Sequence, residues 1–358
     1  MPALRGVSHP DGRAIELGSA PGLPIAARIA VRNGPISGIV ASPDGTRLMV
    51  ANYGRDSVSV IDTGTRRVVR TVAGLNEPFA IAMGRHDTRR AYVSTVSPAY
   101  DSIGVIDVPS NAVIATHPVA LSVSDLAVSP DGQRVYASRN GAGGPDVAVL
   151  DTRTGRVEAI ALPGTTTQCV RVSPDGDRVY VATNGPAGGR LVVIGGDTRR
   201  VIGAVEIDLP IRDVALGPND TIAYVASCAP ERGAVVDVVD TRTAAITGTR
   251  TIAEADAPTG LTLSGDGDRA YLVGGDGITV LCTLTHDVVG TLAVASRPSC
   301  VTESPDGEYL YVADHSGTVT VARVASIVAP GAETAVDERD AATEWVVPEL
   351  LCSEPVPA

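Results

Sequence analysis

An all-β fold, a seven-bladed β-propeller of four-stranded antiparallel blades closed by the N-terminal strand, is predicted by three observations on the 358-residue sequence. A Ser-Pro-Asp-Gly turn motif recurs at a near-constant period. Each copy is flanked by short Val-, Ala- and Tyr-rich runs of β type. Long stretches of helical periodicity are lacking.

The turn sets the count. In Ser42-Pro43-Asp44-Gly45, Ser suits the first position of a type I turn and Pro presets φ at the second; Asp is accepted at the third and Gly suits the fourth. The tetrapeptide returns at 129–132, 173–176 and 304–307. Degenerate copies stand at Gly217-Pro218-Asn219-Asp220 and Ser264-Gly265-Asp266-Gly267, and a seventh, Gly84 to Thr88, is identified by its flanks. The starts 42, 84, 129, 173, 217, 264 and 304 are 42, 45, 44, 44, 47 and 40 residues apart, the period of a radial array.

Four strands follow within each unit. An apolar run such as Asp125 to Val128 precedes the turn, and a Tyr-containing run such as Tyr180-Val181-Ala182 follows it. A Val-rich run then ends in an Asp-Thr turn (Ile61-Asp62-Thr63, Leu150-Asp151-Thr152, Val239-Asp240-Thr241), whose side chains can bond backbone two residues on. The fourth run is Val68 to Val72 or its counterpart. Many runs are apolar on both faces, as suits sheets sandwiched between neighbours. The seventh unit lacks its fourth run, and Ile25 to Val31 matches one with no unit before it. The first strand is therefore expected to complete the last blade. The chain divides into a leader (1–24), the propeller (25–324) and an acidic tail (325–358) holding the only Trp, Trp345.

The Ser-Pro-Asp-Gly, Tyr-Val-Ala and Val-Ile-Asp-Thr segments resemble those of the YVTN-repeat propellers, including the YncE-like proteins, over roughly residues 25–324. The Trp-Asp signature of WD repeats is missing. The resemblance implies a fold that hosts surface proteins, binding modules, lactonase-like enzymes and cofactor domains, so activity must be argued from the site. The Asn ending the family motif survives only as Asn52; Thr95, Arg139, Thr183, Ser227, Gly274 and Asp314 stand in its place.

Composition narrows the function classes. The chain is 44% hydrophobic but only 3% aromatic, and six of its nine Tyr recur at or beside one repeat position as framework. A formal net charge of -12 disfavours nucleic acid as a partner. No apolar run is long enough to span a membrane and no signal-peptide core opens the chain, so the cytoplasm is expected, or export if the sequence is a mature form without its signal peptide; the chain is expected to be a monomer. Five widely spaced Cys, without a Cys-x-x-Cys pair, read as reduced thiols rather than a disulfide framework or metal cluster, and no cofactor motif is evident.

Function is expected on the face carrying the longer, more varied loops (94–102, 138–146, 183–190 and 226–234). Four residues before each turn stand Gly38, Ala80, Asp125, Cys169, Asp213, Gly260 and Cys300. One residue earlier stand Ser37, Phe79, Ser124, Gln168, Arg212, Thr259 and Ser299. Asp125, Gln168, Arg212 and Asp213 are expected to converge on the channel mouth, with Arg139, Asn140, Asp314 and His315 above them. Such a set could orient a small anion or a hydroxylated molecule, or, as Asp125–Arg139 and Asp213–Arg212 pairs, merely solvate a wet channel. His117 and His315 are placed on the same face; Asp314-His315 could supply a base for a lactonase-like hydrolase, the second functional reading. The first reading is a non-catalytic scaffold that binds a protein or peptide through Tyr53, Phe79 and Tyr100, with Arg55 and Glu77 on the rim.

Overall fold

The structure is a computed structural model describing residues 21–324 apart from positions 98, 121, 142, 230–232 and 253–256. Most of the leader and the whole acidic tail, with Trp345, lie outside the described residues.

Each turn motif closes the hairpin between the first two strands of a blade. At the first copy the Ser42 carbonyl accepts from Gly45 N–H at 2.8 Å, and the Ser42 hydroxyl donates to Asp44 at 2.6 Å and accepts from Arg47 N–H at 2.9 Å. The last residue of the motif is left-handed, with φ +71 at Gly45. Asp220 takes the same conformation (φ 52) in the degenerate copy, where Asp is tolerated. At the outer turn Asp62 accepts from Thr65 N–H and hydroxyl, both at 2.8 Å.

The described residues form seven four-stranded antiparallel sheets. Blade 1 runs Ile36–Ala41, Arg47–Asn52, Ser57–Asp62, Arg67–Ala73, from the channel outward. Blades 2 to 6 repeat that order from inner strands Ile81–Met83, Val123–Val128, Thr166–Val172, Ile211–Leu216 and Gly260–Leu263. Blade 7 takes Pro298–Glu303, Tyr309–Asp314 and Thr318–Arg323 from the chain's end and Ile25–Ala30 from its start. In that joint Arg28 faces Thr320 and Ile29 faces Val319. Residues just before it extend the seal: Leu23 N–H donates to the Thr291 carbonyl, on the outer strand of blade 6, at 2.8 Å. Leu23, Ile29 and Val31 are buried.

The core lies between blades. Tyr92, Tyr136, Tyr180, Tyr224, Tyr271 and Tyr311 are each at most 5% exposed, the framework role predicted for them. Tyr271 also donates to Glu303 of blade 7 at 2.6 Å.

The carboxylates divide into two populations with opposite pH behaviour. Serine hydroxyls hold Asp44, Asp175, Asp266 and Asp306 below the usual carboxylate range, and turn N–H groups do the same for Asp62, Asp151 and Asp240, the last at about 2. Burial pushes Asp213, Asp220, Asp237 and Glu303 up. A raised acid destabilises the fold while ionised and gains stability as pH falls through its folded pKa. A depressed acid stabilises above its unfolded value, about 4, and loses that contribution as pH falls toward its folded pKa. The melting temperature should therefore peak on the acid side of neutrality and fall steeply below about pH 4. A melt series from pH 8 to pH 2 checks this; a monotonic rise toward pH 8 would contradict it.

Candidate functional site

Inner strands of five blades carry a register shift where they enter the ring: between Ile36 and Gly38, Val123 and Asp125, Thr167 and Val170, Ile211 and Asp213, and Pro298 and Cys300. Such a bulge turns consecutive side chains toward the same side. Both seven-residue rings line one central cavity of about 700 Å³, including Phe79, Ala80, Thr259 and Gly260 of the two blades without a shift. Asp125, Gln168, Arg212 and Asp213 are all in its wall. Gly38 holds its ring position because a Cβ there would come within 2.7 Å of the Phe79 carbonyl.

The centre of this wall is a residue outside both rings. Arg171 reaches Asp125 at 2.5 Å and Asp213 at 2.6 Å, tying blade 4 to blades 3 and 5. Its guanidinium also donates to the Val214 and Val170 carbonyls at 2.8 and 2.7 Å. Asp125 accepts further from Val170 N–H at 3.1 Å, and Asp213 from Leu261 N–H in blade 6 at 2.7 Å. Burial alone would lower the Arg171 pKa; the carboxylates of Asp213 and Asp125 overcome it and hold the group cationic. Burial, with Asp213 beside it, pushes the Cys169 thiol up, and burial takes Cys300 up to about 12. Neither thiol is poised as a nucleophile at neutral pH.

The expected partners are thus exchanged. Arg139 pairs with Asp146, 2.7 Å away, and donates to the Val119 carbonyl, so it does not meet Asp125. Asp213 meets Arg171 rather than Arg212. Asn140 brackets Thr167 of the next blade, accepting from its N–H at 2.6 Å and donating to its carbonyl at 3.1 Å. Asp314 is buried and closes its own loop by accepting from Ser316 and Thr318 N–H at 2.8 and 3.0 Å. His315 is exposed on that loop, outside the cavity wall, and His117 packs from an outer strand against Gly155. Arg139, Asn140, Asp314 and His315 therefore do not join the channel set. Asn52, Thr183 and Ser227, at the same repeat position as Arg139 and Asp314, are buried as well, while Thr95 and Gly274 are half-buried.

At the rim, Tyr53 and Phe79 meet edge to face with ring centroids 6.5 Å apart. They are each 42% exposed, and Tyr100, on the adjacent loop of blade 2, is 49% exposed without ring contact to either. Asp56 accepts from Glu77 N–H at 2.8 Å and fixes the two loops together, both residues having positive φ (48 and 39). Among the described residues no group of three or more His, Cys, Asp or Glu is placed to hold a metal ion, and no helix is long and apolar enough to cross a membrane.

Seven sheets of one design around a polar channel define a seven-bladed β-propeller. The chain is 52% identical to the seven-bladed beta-propeller protein Rv1057 of Mycobacterium tuberculosis, over 95% of this chain and 94% of that protein, and it belongs to that family of seven-bladed propellers. No family model matches it. The solved structure of hydrazine synthase from Kuenenia stuttgartiensis superposes with a TM-score of 0.74 at 23% identity, covering 83% of this chain and 97% of that one, a likeness of fold.

Proposed function

We propose that this propeller is a non-catalytic binding protein, of the YVTN-repeat type its segments resemble, that takes a basic partner segment with an apolar anchor on the Tyr53–Phe79–Tyr100 rim. The observation carrying this reading is the exposure of those three rings on neighbouring loops, in a chain that buries its six framework Tyr. Exposed rigid aromatics supply contact area at small entropic cost and are common binding hot spots. The formal charge of -12 steers a basic partner toward the surface. The hydrolase reading has less support, because Asp125 and Asp213 are engaged by Arg171 and backbone N–H groups, while the candidate base His315 stands apart from them.

A photo-crosslinking residue at position 79 tests this, with position 284 as control. Leu284, 89% exposed on an outer turn of the opposite face, is the most exposed large apolar side chain among the described residues. Position 79 should capture a basic partner that position 284 does not, and Tyr53→Ser should weaken that partner's binding by about 30-fold, the effect of losing a hot-spot side chain. The same captures from both positions, or binding indifferent to Tyr53→Ser, would refute the reading.

A further inference from the structure

The channel offers a site of different chemistry from the rim. Arg212 is exposed at the cavity wall and has no ion-pair partner among the described residues. It sits at a bulge, between Ile211 and Asp213, which turns it into the channel beside Gln168. Below it, two carboxylates share the single cation Arg171, so that cluster carries one net negative charge. The cluster is not sealed: Arg171 is 29% exposed and Asp125 22%, both into the cavity they line. One Asp125 oxygen, Oδ1, accepts among the described residues only from Leu126 N–H, at 2.8 Å, and has a lone pair to spare.

The rest of the wall supplies room and neutral acceptors. Gly38, Ala80 and Gly260 keep one side open. Ser37, Ser124 and Ser299 donate to the Pro78, Ser138 and Ala313 carbonyls, which leaves their hydroxyl oxygens as acceptors toward the cavity. Among the described residues the only other charged group in the wall, Arg85, belongs to the turn face at the far end. The mouth half therefore presents one cationic and one net anionic pole, side by side in one cavity. A simple anion entering it would be attracted by Arg212 and repelled by the cluster, and a simple cation would meet the reverse. A molecule bearing both charges satisfies both poles.

We propose that the channel binds a small zwitterion, an amino acid or related compound, with its carboxylate on Arg212 and its ammonium on Asp125 and neighbouring oxygens. Gln168 orients it, and the serine hydroxyl oxygens accept from its ammonium. This site is separate from the partner-binding rim, although Phe79 borders both. A failure at one does not entail a failure at the other.

The test is calorimetric titration of the intact protein with alanine, β-alanine, 4-aminobutyrate and 6-aminohexanoate, each alongside its methyl ester and its N-acetyl derivative. At least one amino acid of the series should bind, and blocking either of its charges should weaken binding about 10-fold or more, the equivalent of one lost charge-assisted contact. Arg212→Gln, a change at an exposed side chain, should weaken the zwitterion about 10-fold while leaving its ester unaffected. Asp125→Asn should do the converse, weakening the zwitterion but not the N-acetyl compound. Overturning results are no binding by any member, equal binding by a blocked derivative, or binding that Arg212→Gln leaves unchanged.

Discussion

Removing residues 1–33 should lower the melting temperature by about 10 °C or more and promote association between molecules. The deletion strips Leu23, Ile29 and Val31 from the core, each contributing roughly 1.5–3 kcal/mol of burial. At about 2–4 °C per kcal/mol for a chain of this order, that alone produces the shift. It also takes the partner strand from Thr318–Arg323, whose exposed edge then becomes a template for pairing between molecules. A thermal melt and size-exclusion profile check both parts. A peptide spanning residues 21–33, added in trans, should restore part of the loss by refilling the same edge. An unchanged melt would mean that the ring does not depend on its closing strand.

Arg171→Ala should cost about 2–3 kcal/mol, at or below the low end for removing one partner from a buried ion pair, because the cluster is partly open to the channel. The cost arises less from the lost contacts than from what remains, Asp125 and Asp213 facing one channel without their shared cation. Two further expectations follow from that cause. The variant should recover stability as pH falls and the orphaned carboxylates protonate, and Asp125→Asn with Asp213→Asn should rescue it at neutral pH. Denaturant melts of the single and triple variants at two pH values measure this. Equal losses in both, with no pH dependence, would show that Arg171 acts through packing rather than charge.

Much of the architecture was legible because the same short segment recurs in phase. Each copy of Ser-Pro-Asp-Gly carries its own explanation: a hydroxyl that bonds an Asp, an Asp that bonds a later N–H, and a Gly in the left-handed region. The closing strand was legible too, as an unmatched fourth run at one end and a missing one at the other. The two channel rings could be placed by counting back from the turn, since the strand between ring and turn is regularly paired and the shifts, where present, lie at the ring itself.

What was not legible was which charges meet. Arg171 stands two positions beyond Cys169, where the other blades have Val40, Ala82, Ala127, Ala215, Thr262 and Thr302. That single departure from small or apolar character, flanked by Asp125 and Asp213 in the adjoining blades, was the available signal. Arg139 and Asp314 misled because their repeat position lies inside a hairpin rather than above it, so their charges are spent on local bonds. Asn140 shares a repeat position with Asn184, which brackets Ile211 in the same way at 2.8 and 3.0 Å; the recurrence marks a joint between blades, not a ligand contact. The exposed rim was readable for the opposite reason, since Tyr53, Phe79 and Tyr100 fall outside the repeat's own aromatic position.

The most direct measurement of the central claim, that recognition happens on this rim, is amide hydrogen exchange of the propeller with and without its captured partner. Slowed exchange should appear in residues 53–56, 75–80 and 99–102 and leave the outer turn 282–286 unchanged. Protection confined to the turn face, or absent from all three rim segments, would mean that the partner binds elsewhere.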